Sequence, residues 1–246
     1  MKHFIIPDTQ TKPGVKLNHL TAAGNYIADK KPDVIIHLGD HWDMHSLSSY
    51  DMGKKAAEGA RYNEDIEVGI EGMDLLTKAI ATAGRGYKPR MVYLMGNHEQ
   101  RIERHTEAYP YLHGTLSYND LCLKKFGWEV KDYLKVININ GVHYAHYFHP
   151  VNSQNAYSGQ APNVLTKVGY SFTQGHRPGL DVAMKPLSNG KTLRGLIAGS
   201  FYQHKEKYKG HQGNLHWQGC IMKHEVKDGN YGLMELSLKY LMKEWL

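Results

Sequence analysis

Side chains that can bind divalent metals follow several apolar segments of the chain, each at the point where the segment ends. They are Asp8 and Gln10 after "FIIP", Asp40 in "HLGDHWD", Asn97 and His98 in "MGNHE", His146 in "VHYAHYF" and His176 in "TQGHRPG". Carboxylate and amide oxygens, together with imidazoles, suit manganese, iron or zinc. Two such ions about 3.5–4 Å apart can hold the attacking and leaving oxygens of a phosphoryl group. The residue types therefore favour metal-assisted phosphoryl chemistry.

The apolar segments in front of these side chains are predicted to be strands. "PDVIIHLGD" and "RMVYLMGN" are continuous apolar runs, which is typical of strands buried on both faces. Helical spacing of apolar residues predicts helices over 17–30, 54–83 and 99–125, although Gly59, Gly69 and Gly72 weaken the second prediction. Binding sites of open α/β sheets lie beyond the carboxyl ends of the strands, so we expect the polar side chains to meet there.

The second half of the chain has shorter strand signals. "WEVKDYLKVININGVHYAHYF" contains alternating stretches joined at Asn140-Gly141, a strong hairpin signal. A helix is expected over about 153–168, strands in "VGYSFTQGH" and "LRGLIAGSF", and a last hairpin around Asp228-Gly229-Asn230. These patterns predict an α/β fold, a four-layer α/β/β/α sandwich of two mixed β-sheets flanked by helices. We expect residues 1–246 to form one domain, with 200–246 as a basic, hairpin-rich C-terminal part.

Length, charge and cysteine content limit the classes of protein that fit. The chain has 246 residues, a formal net charge of +6 and a sequence pI of about 9.0. Residues 191–246 hold nine Lys/Arg against five Asp/Glu, which favours phosphate-bearing partners. No apolar run reaches the roughly 18 residues that cross a bilayer. Cys122 and Cys220 lie far apart and predict free thiols, so a cytoplasmic location is expected.

The order D-x-Q, GD-x-x-D, GNHE, a mid-chain His after a hairpin strand and then GH resembles the calcineurin-like metallophosphoesterases. "GDHWDMHSLSSYD" and "GNHEQRIER" resemble in particular the branch of that family often found in bacteriophage genomes. The likeness covers about residues 3–200. It implies two divalent metal ions, with manganese expected and iron, zinc, nickel or magnesium as alternatives. If the chain is phage-encoded, the resemblance implies that it acts in the host cytoplasm.

The resemblance implies a role for each predicted metal ligand. Asp40 would bridge both ions, because one carboxylate can offer an oxygen to each. Asn97, His146 and His176 would complete the second site, and Asp8 would belong to the first. The family's nucleophile is a metal-bound hydroxide that attacks in line with the leaving oxygen.

His98 is the catalytic residue that the resemblance implies. It would protonate the leaving oxygen, or stabilise the transition-state charge as a cation. Asp43 is expected to orient this loop by hydrogen bonding.

Two arginines are expected to bind substrate. Arg101 follows His98 by one helical turn and could meet a phosphate oxygen, or instead pair with Glu99 or Glu103. Glu99 is also interpreted as a start of the following helix. Arg177 adjoins His176 and is the second candidate.

The chain departs from the family pattern at two positions that would both serve the first metal. Gln10 stands where the common motif D-x-H has its histidine. Pro178 stands where the common motif G-H-x-H has its second histidine. Gln10 can coordinate through its carbonyl, whereas Pro178 has no donor. The missing nitrogen could come from one of three histidines, His204, His211 or His216.

Three functions fit the motifs. A phosphodiesterase or nuclease acting on nucleic acid or nucleotides is preferred, because the C-terminal third is basic and an acid at His98 suits a poor leaving group. A phosphomonoesterase or phosphoprotein phosphatase is the first alternative, and a non-catalytic metal-binding scaffold is the second. "GSFYQHKEKYKGHQGNLHWQG" mixes basic and aromatic residues and predicts either a surface for single-stranded nucleic acid or an ordinary solvated loop. No oligomeric state is predicted.

Overall fold

A computed structural model describes residues 1–206 and 210–246 of the protein. Its helices are α1 (Asn18–Lys30), α2 (Tyr62–Ala81), α3 (Arg101–Ala108), α4 (Ala161–Val168), α5 (Gly210–Gly213) and α6 (Leu238–Trp245). Its strands are β1 (His3–Ile6), β2 (Val34–His37), β3 (Arg90–Leu94), β4 (Glu129–Lys131), β5 (Ile137–Ile139), β6 (Val142–Ala145), β7 (Phe172–Gln174), β8 (Leu180–Pro186), β9 (Thr192–Ala198), β10 (Gly219–Lys227) and β11 (Asn230–Ser237). In the described ranges no helix is long and apolar enough to cross a membrane.

One sheet has six strands in the order β11-β10-β1-β2-β3-β4. Strands β1 to β4 are parallel to their neighbours, and β10 joins the edge of β1 in the antiparallel direction. The last hairpin, β10 with β11, is the one predicted from the Asp-Gly-Asn turn. The C-terminal residues are therefore an integral part of this sheet.

The other sheet has five strands in the order β5-β6-β7-β9-β8. Its three inner strands are parallel, and the hairpin partners β5 and β8 run antiparallel along its edges. The hairpin predicted at Asn140-Gly141 joins β5 to β6. Both sheets are mixed, as the sequence predicts.

Three apolar clusters define the layers. One lies between the two sheets and includes Ile36, Val92, Tyr144 and Leu196. A second joins the six-stranded sheet to α1, α2 and α6, and a third joins the five-stranded sheet to α4. The α/β/β/α sandwich is confirmed, because each sheet buries one face on the other sheet and one on helices.

Several predicted helix boundaries are wrong. The predicted helix 54–83 is α-helical only as α2, and a short 3₁₀ turn, Lys55–Ala57, precedes it. The range 99–125 contains α3 followed by 3₁₀ turns, and 153–168 is helical only in α4. Strand β8 and helix α6 were not predicted. The overlong predictions arose because apolar residues continue beyond the helices, and in the range 99–125 Leu121 and Leu123 are buried from 3₁₀ turns instead of from an α-helix.

Candidate metal centre

The carboxyl ends of six parallel strands, three from each sheet, converge on one cavity. Backbone hydrogen bonds tie the loops together: Phe201 N–H donates to Asp8 O at 2.8 Å, Gln10 N–H to Asp40 O at 2.9 Å and Gly175 N–H to His146 O at 3.0 Å. The cavity measures about 260 Å³ and is lined by Asp8, Gln10, Asp40, Asn97, His98, His176, Pro178, Ser200 and Tyr202. The meeting point expected from the sequence is thus present.

Four predicted ligands point their donor atoms at one spot. Ligand atoms of Asp40, His146 and His176 lie within 4.8 Å of one another. The Oδ1 atom of Asn97 lies 2.9 Å from His146 Nε2 and 2.7 Å from His176 Nδ1. Nε2 of His146 is also 3.4 Å from Asp40 Oδ2.

The hydrogen bonding of His146 indicates that a cation fits among these atoms. Its Nδ1 lies 2.7 Å from the carbonyl oxygen of Leu38, which can only accept, so Nδ1 carries a proton. In the neutral ring Nε2 is then a lone pair facing the oxygens of Asn97 and Asp40. Lone pairs facing one another repel unless a proton or a metal ion lies between them. The second metal position of the resemblance therefore has a fitting set of residues.

The charges at this spot also favour a cation. Burial alone would lower the pKa of His146, but the negative charge of Asp40 outweighs it and raises the pKa to about 9. Burial would likewise raise the pKa of Asp40, yet the neighbouring His146 and His98 hold it well below its usual range. Burial and the proximity of His146 lower the pKa of His176 to about 4, so this ring is neutral and able to bind metal.

Asp8 and Gln10 form the other side of the cavity. Burial and the nearby charge of Asp40 raise the pKa of Asp8, as expected for two carboxylates that share one site. The Oε1 atom of Gln10 is buried and has no hydrogen-bond partner among the described residues. An orphaned buried oxygen beside two carboxylates fits a cation or an ordered water there. Pro178 lines the same wall, so this position lacks one nitrogen ligand.

The backbone around the site is adapted to the two carboxylates. A Cβ at Gly96 would lie 2.1 Å from Asp40 Oδ1, and one at Gly175 would lie 2.4 Å from Asp8 Oδ1. Gln10, Asp40 and His176 all have left-handed backbone, with φ of 39°, 50° and 66°. Such φ values are uncommon for residues with a side chain and cluster at functional sites.

His98 lies next to the ligands with one nitrogen anchored. Its Nδ1 donates to the carbonyl oxygen of Asp43 at 2.8 Å and is 3.1 Å from the Asp43 carboxylate. Burial opposes protonation, but Asp40's charge outweighs it and raises the pKa of His98. Asp43 therefore has the orienting contact that we predicted. Nε2 lies 3.8 Å from Asp40 Oδ2, and the ring lines the cavity.

The two predicted substrate-binding arginines make backbone contacts. Arg101 donates to the carbonyl oxygens of Asp43 and Met44, at 2.7 and 3.2 Å, and its other terminal nitrogen is 3.4 Å from His98 Nε2. Arg177 donates to the Gly159 carbonyl and does not line the cavity. Neither arginine lines the cavity, but Arg101 contacts the ring of His98, which does.

Glu99 is a site residue that the sequence interpretation missed. It was taken as a helix start, but α3 begins at Arg101 and the Glu99 side chain is fully buried. Its carboxylate accepts hydrogen bonds from five groups, the backbone N–H of Gly96, Asp40, His41 and Trp42 and the hydroxyl of Tyr93. It thereby joins the loop after β2 to the loop after β3. The sequence feature that could have indicated this role is the position of Glu99 in the motif "GNHE".

The three histidines offered as substitutes for the missing ligand differ in their surroundings. His216 donates from Nδ1 to the Gly213 carbonyl at 2.8 Å, and its Nε2 lies 2.9 Å from Ser200 Oγ, one residue layer behind the cavity wall. His204 is engaged at 2.6 Å with the Glu206 carboxylate, and His211 is exposed. None lines the cavity.

The predicted nucleic-acid surface around 200–220 is not formed by its first aromatic residues. Phe201 and Tyr202 are 0% and 1% exposed, so their faces are unavailable to a nucleobase. Residues 207–209 of this segment lie outside the described residues.

Comparison with known proteins adds little to this geometry. No family model matches the chain, and no curated protein matches it. A solved structure is similar to it with a TM-score of 0.41 and 10% identity, over 96% of this chain and 99% of the other. A likeness of that size carries no argument about function.

Proposed function

We propose that the protein is a metal-dependent phosphoesterase, and specifically a phosphodiesterase acting on nucleic acid or nucleotides. One observation carries the proposal: Nε2 of His146, Oδ1 of Asn97 and the carboxylate of Asp40 meet at a point beside His98, where a cation fits between them. A metal-binding cluster next to an anchored imidazole, in a cavity open to substrate, is the arrangement that metal-assisted phosphoryl transfer requires.

The chain offers two adjoining positions for metal ions. Asp40, Asn97, His146 and His176 would hold one, and Asp8, Gln10 and Asp40 the other. Divalent ions bound there would supply Lewis-acid polarisation of the phosphoryl oxygens and a nucleophile at neutral pH. Manganese suits this mixture of oxygen and nitrogen donors.

His98 is the reason for proposing diesters instead of monoesters as substrates. Burial opposes protonation of the ring, but the charge of Asp40 raises its pKa and favours the protonated form; Nδ1 is fixed on Asp43, so Nε2 is the atom that can deliver a proton. An alkoxide leaving group needs that proton far more than a good leaving group does. Arg101, beside Nε2, adds positive charge where a phosphate would lie.

A cytoplasmic setting belongs to the proposal as well. Cys122 and Cys220 are both free thiols, which fits a reducing compartment.

The test combines metal content with hydrolysis. Wild type, Asp40→Asn and His98→Ala are purified in manganese, their bound metal is counted by mass spectrometry, and turnover of bis-(p-nitrophenyl) phosphate is compared with that of the monoester. His113→Ala, which changes an exposed histidine, is the matched control. We expect Asp40→Asn to lose metal and activity, and His98→Ala to keep its metal but lose about 10²–10⁴-fold in kcat.

Each part of the proposal can fail separately. Equal background rates in all four proteins would contradict the enzyme, and preference for the monoester would contradict the diesterase. A wild type that binds no metal would indicate that the Asn97 amide is rotated and donates to both imidazoles instead.

A further inference from the structure

Large aromatic and apolar side chains are exposed on the side of the molecule where α3 ends. Tyr111 is 79% exposed, Tyr50 75% and Met52 57%. Together with Tyr109 they form what we call the tyrosine edge. Single exposed apolar side chains are common, but a contiguous group of them indicates a surface that binds a ligand or partner, and this edge has no role in the metal centre.

The rings of the tyrosine edge are arranged in series. The Tyr109 ring lies 4.8 Å from that of His105 and 6.1 Å from that of Tyr111, the latter pair meeting edge to face at 65°. The Tyr109 hydroxyl contacts Met52 Sδ at 3.9 Å, which ties α3 to the loop that follows Asp43. Tyr109 is thus held between its neighbours, and Tyr111 extends into solvent with its faces accessible.

Two arginines connect this edge to the metal centre. Arg101 lies 3.4 Å from His98 Nε2, and Arg104, one turn farther, lies 3.4 Å from Ser49 Oγ. At 3.6 residues per turn, Arg101, Arg104 and His105 share one face of α3, and Tyr109 directly follows the last helical residue, Ala108. Over the described part of the chain neither arginine makes an ion pair with a carboxylate, so both can receive an anion.

The acidic residues of α3 border this path on one side. Glu103, two positions after Arg101, lies on the other side of the helix, whereas Glu107 follows Arg104 by three positions and stands beside the path. From Arg101 to Tyr109 the path is about 12 Å long, because each helical residue advances about 1.5 Å. The order along it is imidazole, two guanidinium groups and then aromatic rings.

We propose that this path binds single-stranded nucleic acid on the leaving-group side of the cleaved bond, with phosphates on Arg101 and Arg104 and a base stacked on Tyr111. The inference rests on the proposed function, since it takes His98 as the acid for the leaving oxygen. Guanidinium groups recognise phosphate oxygens, and aromatic faces stack on any base. Cations followed by exposed rings complement a strand that alternates phosphates with bases better than they complement a protein surface.

The test is a binding measurement that does not depend on hydrolysis. Fluorescence anisotropy of a fluorescein-labelled single-stranded DNA is measured in EDTA with wild type, Tyr111→Ala, Tyr111→Phe and Arg104→Gln. Tyr240→Ala, on α6 and 41% exposed, is the matched control. Thermal melting of every variant checks that each is folded.

We expect Tyr111→Ala to raise the Kd about 5- to 150-fold, the range for losing one stacked base. Tyr111→Phe keeps the ring and should bind like wild type, as should Tyr240→Ala. Arg104→Gln should reduce the slope of log K against log salt by about 0.7, the value for one phosphate of a single strand. Equal Kd values for Tyr111→Ala and wild type would overturn the proposal and leave a protein partner for the tyrosine edge.

The outcome is separable from that of the proposed function. Loss of affinity in Tyr111→Ala, in a protein that hydrolyses no diester, would support the path and refute the enzyme. Hydrolysis of diesters by the wild type, with unchanged DNA affinity in Tyr111→Ala, would support the enzyme and refute the path.

Discussion

Glu99 shows how a single residue can hold two motif loops in register. Its fully buried carboxylate accepts from the backbone of both Gly96 and Asp40 and from the Tyr93 hydroxyl. Burial and the nearby charge of Asp40 raise its pKa, so its five hydrogen bonds offset the cost of placing a second carboxylate there. We infer that Glu99 positions Asp40 for metal binding without touching the metal itself.

Glu99→Gln should weaken metal binding although Glu99 is not one of the proposed metal ligands. The amide nitrogen of Gln would face N–H donors, leaving groups unsatisfied at a cost of roughly 3 kcal/mol in unfolding free energy. Loss of such supporting contacts typically weakens metal affinity about 10–100-fold. Urea unfolding and competitive metal titration measure the two effects.

Glu103→Gln is the control for this prediction, since Glu103 is exposed on α3. If Glu99→Gln binds metal as tightly as Glu103→Gln does, Glu99 has only a structural role.

Motif spacing predicted which candidate ligands come together better than it predicted the side chains that support them. Asp40, Asn97, His146 and His176 come together as expected, because each follows a strand and the strand ends meet. The inward direction of Glu99 could not be predicted, since only the loops from both β2 and β3 create the donors that it satisfies.

At the scale of elements, α2 shows why glycines misled the sequence interpretation. Gly69 and Gly72 lowered the expectation of a helix, yet both lie inside it. A Cβ at Gly69 would lie 1.7 Å from Trp42 Nε1, and one at Gly72 would lie 3.0 Å from His41 Nε2. These glycines allow the loop that carries Asp40 to pack closely on the helix.

Gly69→Ala should therefore destabilise the protein although alanine favours helix. Helix propensity offers a gain of about 1 kcal/mol, but displacing the Trp42 indole costs more, and we expect a net loss of about 1–3 kcal/mol. The Trp42 indole also donates to the Ile66 carbonyl at 3.3 Å, a bond that its displacement would break. Urea unfolding followed by tryptophan fluorescence measures the loss.

Gly86→Ala is the matched control, because nothing lies within 4 Å of a Cβ built there. A Gly69→Ala protein as stable as this control would contradict the close approach of the loop to α2.

The strands were the best-predicted elements, since buried parallel strands such as β2 and β3 are short continuous apolar runs. Strand β8 was missed because it lies at a sheet edge and most of its residues are exposed, so its sequence lacks the apolar signal. Helix α6 was missed because only Leu241 within it is buried.

At the scale of the whole molecule, the two sheets bring together motifs that are distant in the chain. The backbone N–H of His176 donates to Asp8 Oδ1 at 3.0 Å across 168 residues, and Asp8 pairs with Ser200 through a parallel bridge. The sequence predicted which strand ends carry polar residues. It could not predict how closely loops of different sheets approach, because that depends on the packing of the apolar layer between them.

The same layer contains a buried lysine that should reduce the stability of the fold. Lys223 is 0% exposed, donates to Thr173 Oγ1 and lies 4.1 Å from the ring centre of Tyr231 and 4.9 Å from that of Tyr144. No carboxylate of the described residues pairs with it within 4.0 Å. Burial, and then the charge of Arg194, lower its pKa well below the usual range.

Lys223→Met should therefore stabilise the protein at neutral pH, by about 1 kcal/mol or more. The unfolded chain keeps this lysine protonated up to a pKa of about 10.4, and burial lowers the pKa in the fold, so each unit of lowering costs the folded state about 1.4 kcal/mol at low and neutral pH. Between the pKa of Lys223 in the fold and about 10.4, the unfolded state binds more protons than the folded state. Wild-type stability therefore rises with pH in this range, whereas the stability of Lys223→Met has no such pH dependence from this position. Urea unfolding at pH 7 and pH 9 measures it, with the exposed Lys227→Met on the same strand as control. If Lys223→Met is instead less stable at pH 7 than this control, the lysine stays charged in the fold and the two tyrosine rings hold it as a cation.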